Sequence, residues 1–183
     1  GFSKHNKKKL FTGRHALRFA HLQRYKSDSI LIGQKTFNDD NPKLDSRIEG
    51  IKKKIKIFSI NQQLKINPQV LKNSCLRNSH IFHNCKDRER VRKLSKLFKL
   101  IRFDFNEDEV CHRILKIIYK LNCKKILIEG GIHTLESFLK AKLINELYVV
   151  KNKHFFKKHG LLNARRFINS LKIKPNEIIS LEE

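Results

Sequence analysis

The sequence lacks tryptophan and methionine altogether, and its 183 residues include only seven glycines and three prolines. It also lacks an apolar run long enough to cross a bilayer, and its start, GFSKHNKKK, has no apolar centre of the kind a secretory signal needs. We therefore expect a soluble, cytoplasmic protein. Because no methionine stands at position 1, we expect the chain to be a piece of a longer product or one whose ends were removed.

Paired cysteines are also missing, since the four cysteines, at positions 75, 85, 111 and 123, include no C-x-x-C spacing. This pattern indicates reduced thiols and argues against a disulfide framework or a zinc ribbon. Cys75, His80, His83 and Cys85 lie within eleven positions and could suggest a zinc site. If residues 79–84 form a strand, however, His80 points to one face while His83 and Cys85 point to the other. The sequence therefore predicts no bound metal.

Several catalytic signatures are absent. There is no G-x-G-x-x-G dinucleotide fingerprint, no P-loop, no G-x-S-x-G nucleophile elbow and no H-x-E with P-C-x-x-C. These absences argue against a Rossmann domain of the common type, a serine hydrolase and a zinc deaminase within this chain.

The charge is strongly unbalanced, with 41 Lys and Arg residues against 17 acidic residues and a net charge of +24. Such a charge can indicate a nucleic-acid partner. However, Lys, Asn, Ile and Phe are abundant together, as in a coding sequence rich in A and T, and the lysines are scattered along the chain. We therefore expect no nucleic-acid partner and read part of the charge as suited to phosphorylated small molecules. A basic RNA-binding domain is kept as the alternative.

Apolar patterns alternate between strand-like and helix-like periods along the chain. Strands are predicted at 28–33, 55–60, 79–84, 100–103, 126–128 and 147–150, and helices from about residue 12, at 87–99, from 110 after a capping box, and after 131. The long segment 34–47 is predicted to be a turn-rich loop with a functional role. Strands alternating with helices predict one α/β domain over 1–183, with three layers: a mostly parallel sheet covered by helices on both faces.

One stretch, residues 124–152, predicts a ligand site. Its strand leads through Glu129 into Gly130-Gly131, and a helix follows. Glycine lets the backbone approach a ligand closely, and the start of a helix offers free N–H groups and a positive dipole end, which together favour phosphate. Glu129 is expected at the carboxyl end of a parallel strand, where open α/β sheets bind ligands.

Four segments in order carry a family resemblance: LFTG at 10–13, AHLQRYKSDSILIG at 20–33, TFNDDNPKLDSR at 36–47 and ILIEGGIHTLESFLKAKLINELYV at 126–149. Together they resemble the reductase domain of the bacterial riboflavin-biosynthesis deaminase/reductase, a family with a dihydrofolate-reductase-like fold. The resemblance implies that NADPH reduces 5-amino-6-(5-phosphoribosylamino)uracil to its ribitylamino counterpart. It also makes a homodimer possible.

The resemblance assigns roles to particular residues. Cofactor contacts are expected from Thr36 and Asp40 and from the turn and helix start formed by Gly131, Ile132, His133, Thr134, Leu135, Glu136 and Ser137. Substrate contacts are expected from Arg24, Leu44, Arg47 and Glu129, with the two arginines on the 5-phosphate and Glu129 as the carboxylate that fixes the substrate near the nicotinamide. An arginine fork suits bidentate phosphate recognition.

Simpler roles are open for some of these residues. Glu129 could cap the adjacent helix or pair with a lysine, Arg24 and Arg47 could be solvated surface charges, and Asp40 could only shape its turn. The chain also departs from the family pattern, with Leu10 where a tryptophan is common. A relative that keeps the fold without the activity is therefore a further alternative.

Overall fold

A computed structural model of the chain describes residues 14–45, 53, 55–106, 109–129 and 131–150. Its helices are α1 (Arg14–Lys26), α2 (Pro68–Lys72), α3 (Arg88–Leu94), α4 (Val110–Lys120) and α5 (Ile132–Lys140). Its strands are β1 (Ser29–Gly33), β2 (Lys56–Ile60), β3 (His80–His83), β4 (Lys99–Arg102) and β5 (Ile126–Ile128). A π-helical turn spans Thr36–Asp40, and a 3₁₀ turn spans Ser74–Leu76.

The five strands form one parallel sheet in the order β4-β3-β2-β1-β5. Asp28 fixes the register between β1 and β5, because one of its carboxylate oxygens accepts the backbone N–H groups of Lys124 and Lys125, each at 2.9 Å. Ser29 is thereby paired with Ile126 and Leu31 with Ile128. The carboxyl ends of β1 and β5 consequently lie side by side.

The core has two parts, one on each face of the sheet. In β1, Ile30 and Ile32 pack with residues of α2 and α3, whereas Leu31 packs with residues of α4 and α5. Successive side chains of a strand point to opposite faces, so the all-buried sequence SILIG supplies both layers at once. The predicted α/β class, with helices on both faces of a parallel sheet, is confirmed.

The chain divides into two compact units, and the sheet belongs entirely to the unit His21–Asn145. The other unit combines Gly1–Ala20 with Glu146–Glu183, and the structure describes residues 14–20 and 146–150 of it. There the rings of Phe19 and Tyr148 meet edge to face, with centroids 5.4 Å apart. The expectation of one domain over 1–183 stays a prediction.

The strand predicted at 147–150 is wrong, because these residues form neither strand nor helix. Tyr148, Val149 and Val150 are between 41% and 49% exposed, so they contribute little to a core. Apolar residues favour a strand only where another strand pairs with them, and a run of four carries no information about that partner.

Other element boundaries also differ from the sequence prediction. The loop after β1 begins with helical residues and the π-helical turn, a short helix follows Asn67, and α3 ends at Leu94, five residues before the predicted end. The capping box predicted from Asn106 and Glu109 before α4 is wrong. Glu109 is itself the N-cap residue, in a left-handed conformation, and its side chain makes no capping bond.

Two lysines near the start of β2 satisfy carbonyl groups at the ends of helices. Lys53 Nζ donates to the carbonyl oxygens of Tyr25 and Ser27, each at 2.9 Å, and it also lies over the Tyr25 ring. Lys56 Nζ donates to the carbonyl oxygen of Leu121, just after α4. The last carbonyls of a helix have no partner within it, and a cation there also complements the helix dipole.

Within the described ranges, no helix has the length and apolar character that a membrane span requires.

Candidate functional site

Arg24 and Glu129 meet at the carboxyl ends of β1 and β5. Arg24, in the last turn of α1, donates from Nε to one Glu129 carboxylate oxygen at 2.8 Å and from Nη2 to the other. The arginine side chain is 15% exposed and the glutamate side chain 30%. Paired bonds of this kind fix the plane of a carboxylate as well as its position. The structure thus joins two residues that the sequence assigned to the same ligand.

The same face of α1 also holds the end of the loop that follows β1. The carbonyl oxygen of Asp45 lies 3.2 Å from Arg24 Nη1, which donates to it, and 3.1 Å from His21 Nδ1. Residues three positions apart on a helix are neighbours on its surface, so His21 and Arg24 reach the same carbonyl. The sequence patterns assigned no role to His21, although its spacing of three residues from Arg24 places both side chains on one face of α1.

A second group forms around Gly131, the residue that precedes α5. Gly131 has a φ of +72°, which disfavours any side chain, and a Cβ built there would lie 3.5 Å from both Thr36 Oγ1 and Thr134 Oγ1. These three predicted cofactor residues therefore surround one small space. Gly33, at the end of β1, makes the close approach possible, since a Cβ there would lie only 2.4 Å from Thr134 Oγ1. The sequence patterns assigned no role to Gly33, because its contact with Thr134 depends on the pairing of β1 with β5.

The start of α5 offers free hydrogen-bond donors beside that space. No side chain of the described residues caps this helix, and its first bond to Gly131 is made by the Leu135 N–H at 3.1 Å. The N–H groups of Ile132, His133 and Thr134 precede that bond and are therefore directed outward at the positive end of the helix dipole. Such an arrangement suits a phosphate.

Two other predicted cofactor residues have side chains that are bonded within α5. Ser137 Oγ donates to the His133 carbonyl at 2.9 Å, and the Glu136 carboxylate pairs with Lys140 at 3.1 Å. The Leu135 N–H is also occupied, as described above. The group that remains free to bind a phosphate is therefore the first turn of the helix.

Asp40 lies at the end of the π-helical turn, and Asn41 follows it with a φ of +41°. The Asp40 side chain reaches the surface, yet the protein around it displaces enough water to raise the pKa of its carboxyl above the ordinary value. Turns of the π type are rare and recur at functional sites. Thr36, at the other end of this turn, faces Gly131 directly.

Leu44 has an unusual environment for a predicted substrate contact. It is 3% exposed, packs in the core with Ile30 and Phe37, and has a φ of +45°. A branched residue with positive φ is strained, and strain of this kind persists only where the surroundings impose it. Its side chain serves the core, so any contact with a ligand would fall to its backbone. Arg47 lies outside the described residues.

The histidines of β3 point in opposite directions, as the strand alternation predicts. His80 stacks on Phe58, which belongs to the core cluster under α4. His83 lies two positions after Ile81 and so points to the same face as Ile81, which belongs to the cluster on the other side of the sheet. Burial lowers the pKa of both imidazoles. Among the described residues, no group of His, Cys, Asp and Glu side chains is arranged to hold a metal ion. All four cysteines are free.

A sequence profile of the RibD C-terminal domain matches residues 2–154, which is most of the chain. The chain belongs to this family. A riboflavin biosynthesis protein RibD from Aquifex aeolicus is 25% identical over 180 residues, covering 96% of this chain and 49% of the relative. The chain therefore spans about half the length of that relative.

Solved structures show the same fold at low sequence identity. RibD from Acinetobacter baumannii has a TM-score of 0.55 and 19% identity, over 74% of this chain and 38% of its own. A deaminase/5-amino-6-(5-phosphoribosylamino)uracil reductase from Thermotoga maritima has a TM-score of 0.54 and 19% identity, over 76% and 37%. A riboflavin biosynthesis reductase from Saccharomyces cerevisiae has a TM-score of 0.53 and 17% identity, over 73% and 61%. The RibD family resemblance noted in the sequence is confirmed.

Proposed function

We propose that this chain reduces 5-amino-6-(5-phosphoribosylamino)uracil to 5-amino-6-(5-phosphoribitylamino)uracil with NADPH. Membership of the RibD C-terminal domain family supports this activity. So does the name of the Thermotoga relative, which includes a reductase for this pyrimidine. The observation that carries the proposal is the convergence of two groups at adjacent strand ends: Arg24 with Glu129, and Thr36 with Gly131 and Thr134.

The group formed by Thr36, Gly131 and Thr134 fits a dinucleotide phosphate. A Cβ at Gly131 would occupy the space between the two threonine hydroxyls, so a glycine keeps that space open. The hydroxyls can donate to phosphate oxygens, and the first N–H groups of α5 add a positive dipole end. When bound there, NADPH would supply the hydride, and the protein would bind and orient it.

The pair formed by Arg24 and Glu129 fits the polar substrate. Glu129 can accept hydrogen bonds from the amino and ring N–H groups of the pyrimidine, and Arg24 keeps its carboxylate in one orientation. The guanidinium has five N–H donors, of which three serve Glu129 and Asp45. Arg24 would thus act first by positioning Glu129, with two donors left for the substrate. Arg47 is then the principal candidate for the 5-phosphate.

The reaction needs positioning more than covalent chemistry. The sugar carbon attached to the amino group would accept the hydride, the sugar ring would open, and a proton would complete the new hydroxyl. Holding donor and acceptor in contact with water excluded can supply a large part of the rate enhancement. Glu129 would fix the pyrimidine while the turn at Gly131 fixes the cofactor, so each partner has its own anchor.

The test is the loss of NADPH absorbance when the deaminated phosphoribosylaminopyrimidine is added to the purified chain. We expect the wild type to oxidise NADPH only with the substrate present, and Glu129→Gln to lose most of the turnover while its unfolding free energy falls by no more than about 2 kcal/mol, the value of the lost ion pair with Arg24. Glu89→Gln is the matched control, because Glu89 lies on α3 and pairs with Lys93 at the surface. Wild-type turnover in Glu129→Gln would exclude the assigned role, and no oxidation by the wild type would exclude the function.

A further inference from the structure

Asn38 lies at the centre of the π-helical turn that carries Thr36 and Asp40. A π-helical turn uses bonds from residue i to residue i+5, and one this short gains little stability from its own bonds. No side chain of the described residues caps its start, and Asn41 ends it in a left-handed conformation. The turn must therefore be held in place from outside.

The side chain of Asn38 provides this support. It is 8% exposed, and its Nδ2 donates to the carbonyl oxygen of Lys65 at 2.7 Å while its Oδ1 accepts the Asn67 N–H at 3.1 Å. Asn67 Nδ2 in turn donates to the Asn38 carbonyl at 3.4 Å. One asparagine thus joins the turn to a segment 27 to 29 residues away through three hydrogen bonds.

That segment is itself fixed to the end of β2. Asn61, which is fully buried just after the strand, donates from Nδ2 to the Lys65 carbonyl at 3.0 Å and accepts the Lys65 N–H at 3.2 Å. Leu64, between them, is buried with a φ of +52°, so this loop holds a second strained leucine. The loop is therefore a rigid support for Asn38.

A separate tie holds the far end of the turn. Asn73 Nδ2 donates to Asn41 Oδ1 at 2.8 Å and lies 3.3 Å from the carbonyl oxygens of Asn41 and Pro42. The turn is thus supported at its middle and at its end by carboxamides from the segment between β2 and β3.

We propose that Asn38 is a positioning residue for the cofactor: through the π-helical turn it sets the place of Thr36 beside Gly131 and of Asp40 at the surface. The inference rests on the proposed function, because it assigns the cofactor to this turn. Asn38 itself need not touch the cofactor. Its carboxamide supplies both a donor and an acceptor in fixed positions, which aspartate, leucine and alanine do not.

The experiment compares steady-state kinetics of the full 183-residue chain with those of Asn38→Asp. Aspartate keeps the shape and the acceptor but places an oxygen against the Lys65 carbonyl, so the turn should shift. We expect the KM for NADPH to rise by about tenfold or more, as for a buried polar bond lost, while the KM for the pyrimidine stays within about twofold. A purely structural role would lower the active fraction and leave both KM values unchanged.

Asn78→Asp is the matched control. It makes the same atomic exchange at an exposed asparagine whose side chain makes no hydrogen bond within the described part of the chain. We expect its KM for NADPH to equal that of the wild type. An equal rise in Asn78→Asp would attribute the effect to added negative charge and overturn the inference.

Asn67→Ala serves if Asn38→Asp does not fold. It removes the 3.4 Å bond to the Asn38 carbonyl and leaves the backbone N–H of residue 67 in place. We expect a rise of about threefold in the KM for NADPH, in line with one weak hydrogen bond. An unchanged KM for NADPH in either folded variant would overturn the inference while leaving the proposed function standing. A wild type that never oxidises NADPH would overturn both.

Discussion

Arg24 binds both carboxylate oxygens of Glu129 across a separation of 105 residues in the sequence. The bond connects the last turn of α1 to the end of β5, so it joins the two sides of the candidate site. Both side chains are partly shielded from water, which weakens the screening of their charges. The pair is therefore a structural tie at the place where the proposed function puts a substrate contact.

A double-mutant cycle should measure this tie. Arg24→Ala, Glu129→Ala and the double variant should give a coupling free energy of unfolding of about 1–2 kcal/mol in denaturant titrations. The Glu89–Lys93 pair, with side chains 67% and 69% exposed, provides the comparison and should give less than about 0.5 kcal/mol. Equal coupling in the two cycles would mean that the Arg24 bond is no stronger than a surface ion pair.

Gly33→Ala should disturb the group formed by Thr36, Gly131 and Thr134, because Gly33 lies against Thr134. The new methyl would lie 2.4 Å from Thr134 Oγ1, which would force that hydroxyl to move, at a cost of about 1–3 kcal/mol in unfolding free energy. The remaining near atom, Thr134 Cβ, lies at an ordinary contact distance of 3.7 Å.

The double variant Gly33→Ala/Thr134→Ala should therefore recover most of the lost stability, and thermal unfolding provides the measurement. NADPH binding should stay weak in the double variant, because the hydroxyl is gone. If the double variant is as unstable as the single one, the collision with Thr134 is not the cause.

Acid should begin to destabilise the fold near neutral pH because of His80 and His83. Burial lowers the pKa of both side chains in the folded protein below the ordinary value of 6.5. At higher pH both states hold neutral imidazoles, whereas below about 6.5 the unfolded chain binds protons first and gains stability.

The free energy of unfolding should accordingly fall as the pH drops from about 7 toward 5, as measured by denaturant titration at several pH values. His83→Gln should make that slope shallower, since it removes one of the two groups. An identical slope in the variant would remove His83 from this explanation.

Asp28 should act in a separate and more acidic range. The backbone N–H groups of Lys125 and Lys124 lower the pKa of its carboxyl below the ordinary value of 3.8. Its contribution is therefore complete above about 3.8 and disappears as the pH falls through the lower folded value. Asp28→Asn should be less stable than the wild type at pH 7, and the difference should shrink below pH 4. A constant difference across that range would contradict the assignment.

Local patterns were sufficient to predict most of the sheet. The apolar runs of β1 and β5 and the helical period of α4 agree with the structure because an apolar pattern reports burial directly: β1 is buried on both faces, β5 is half-buried, and α4 is buried along one stripe. The run at 147–150 looked equally apolar and is not a strand, because strand formation depends on a partner that a local pattern does not specify.

The sequence was sufficient to predict which residues belong to the candidate site. It did not predict the hydrogen bonds and ion pairs that these residues make with one another. Motif resemblance brought Arg24 and Glu129 to the same ligand, yet nothing in their separate segments indicated that they bind each other. The π-helical turn was likewise predicted only as loop, since Asn38 holds it through bonds to Lys65 and Asn67 that no local period records.

The two lysines near the start of β2 change how the large positive charge should be understood. Lys53 and Lys56 close the carbonyl ends of two helices, a task that glycine or asparagine performs in many other proteins. A codon bias toward lysine would therefore do more than add surface charge. It would also supply side chains that donate hydrogen bonds to the last carbonyl groups of helices. Reverting such lysines to restore a more ordinary charge would then loosen the ends of α1 and α4, and acetylation of either lysine would have the same effect.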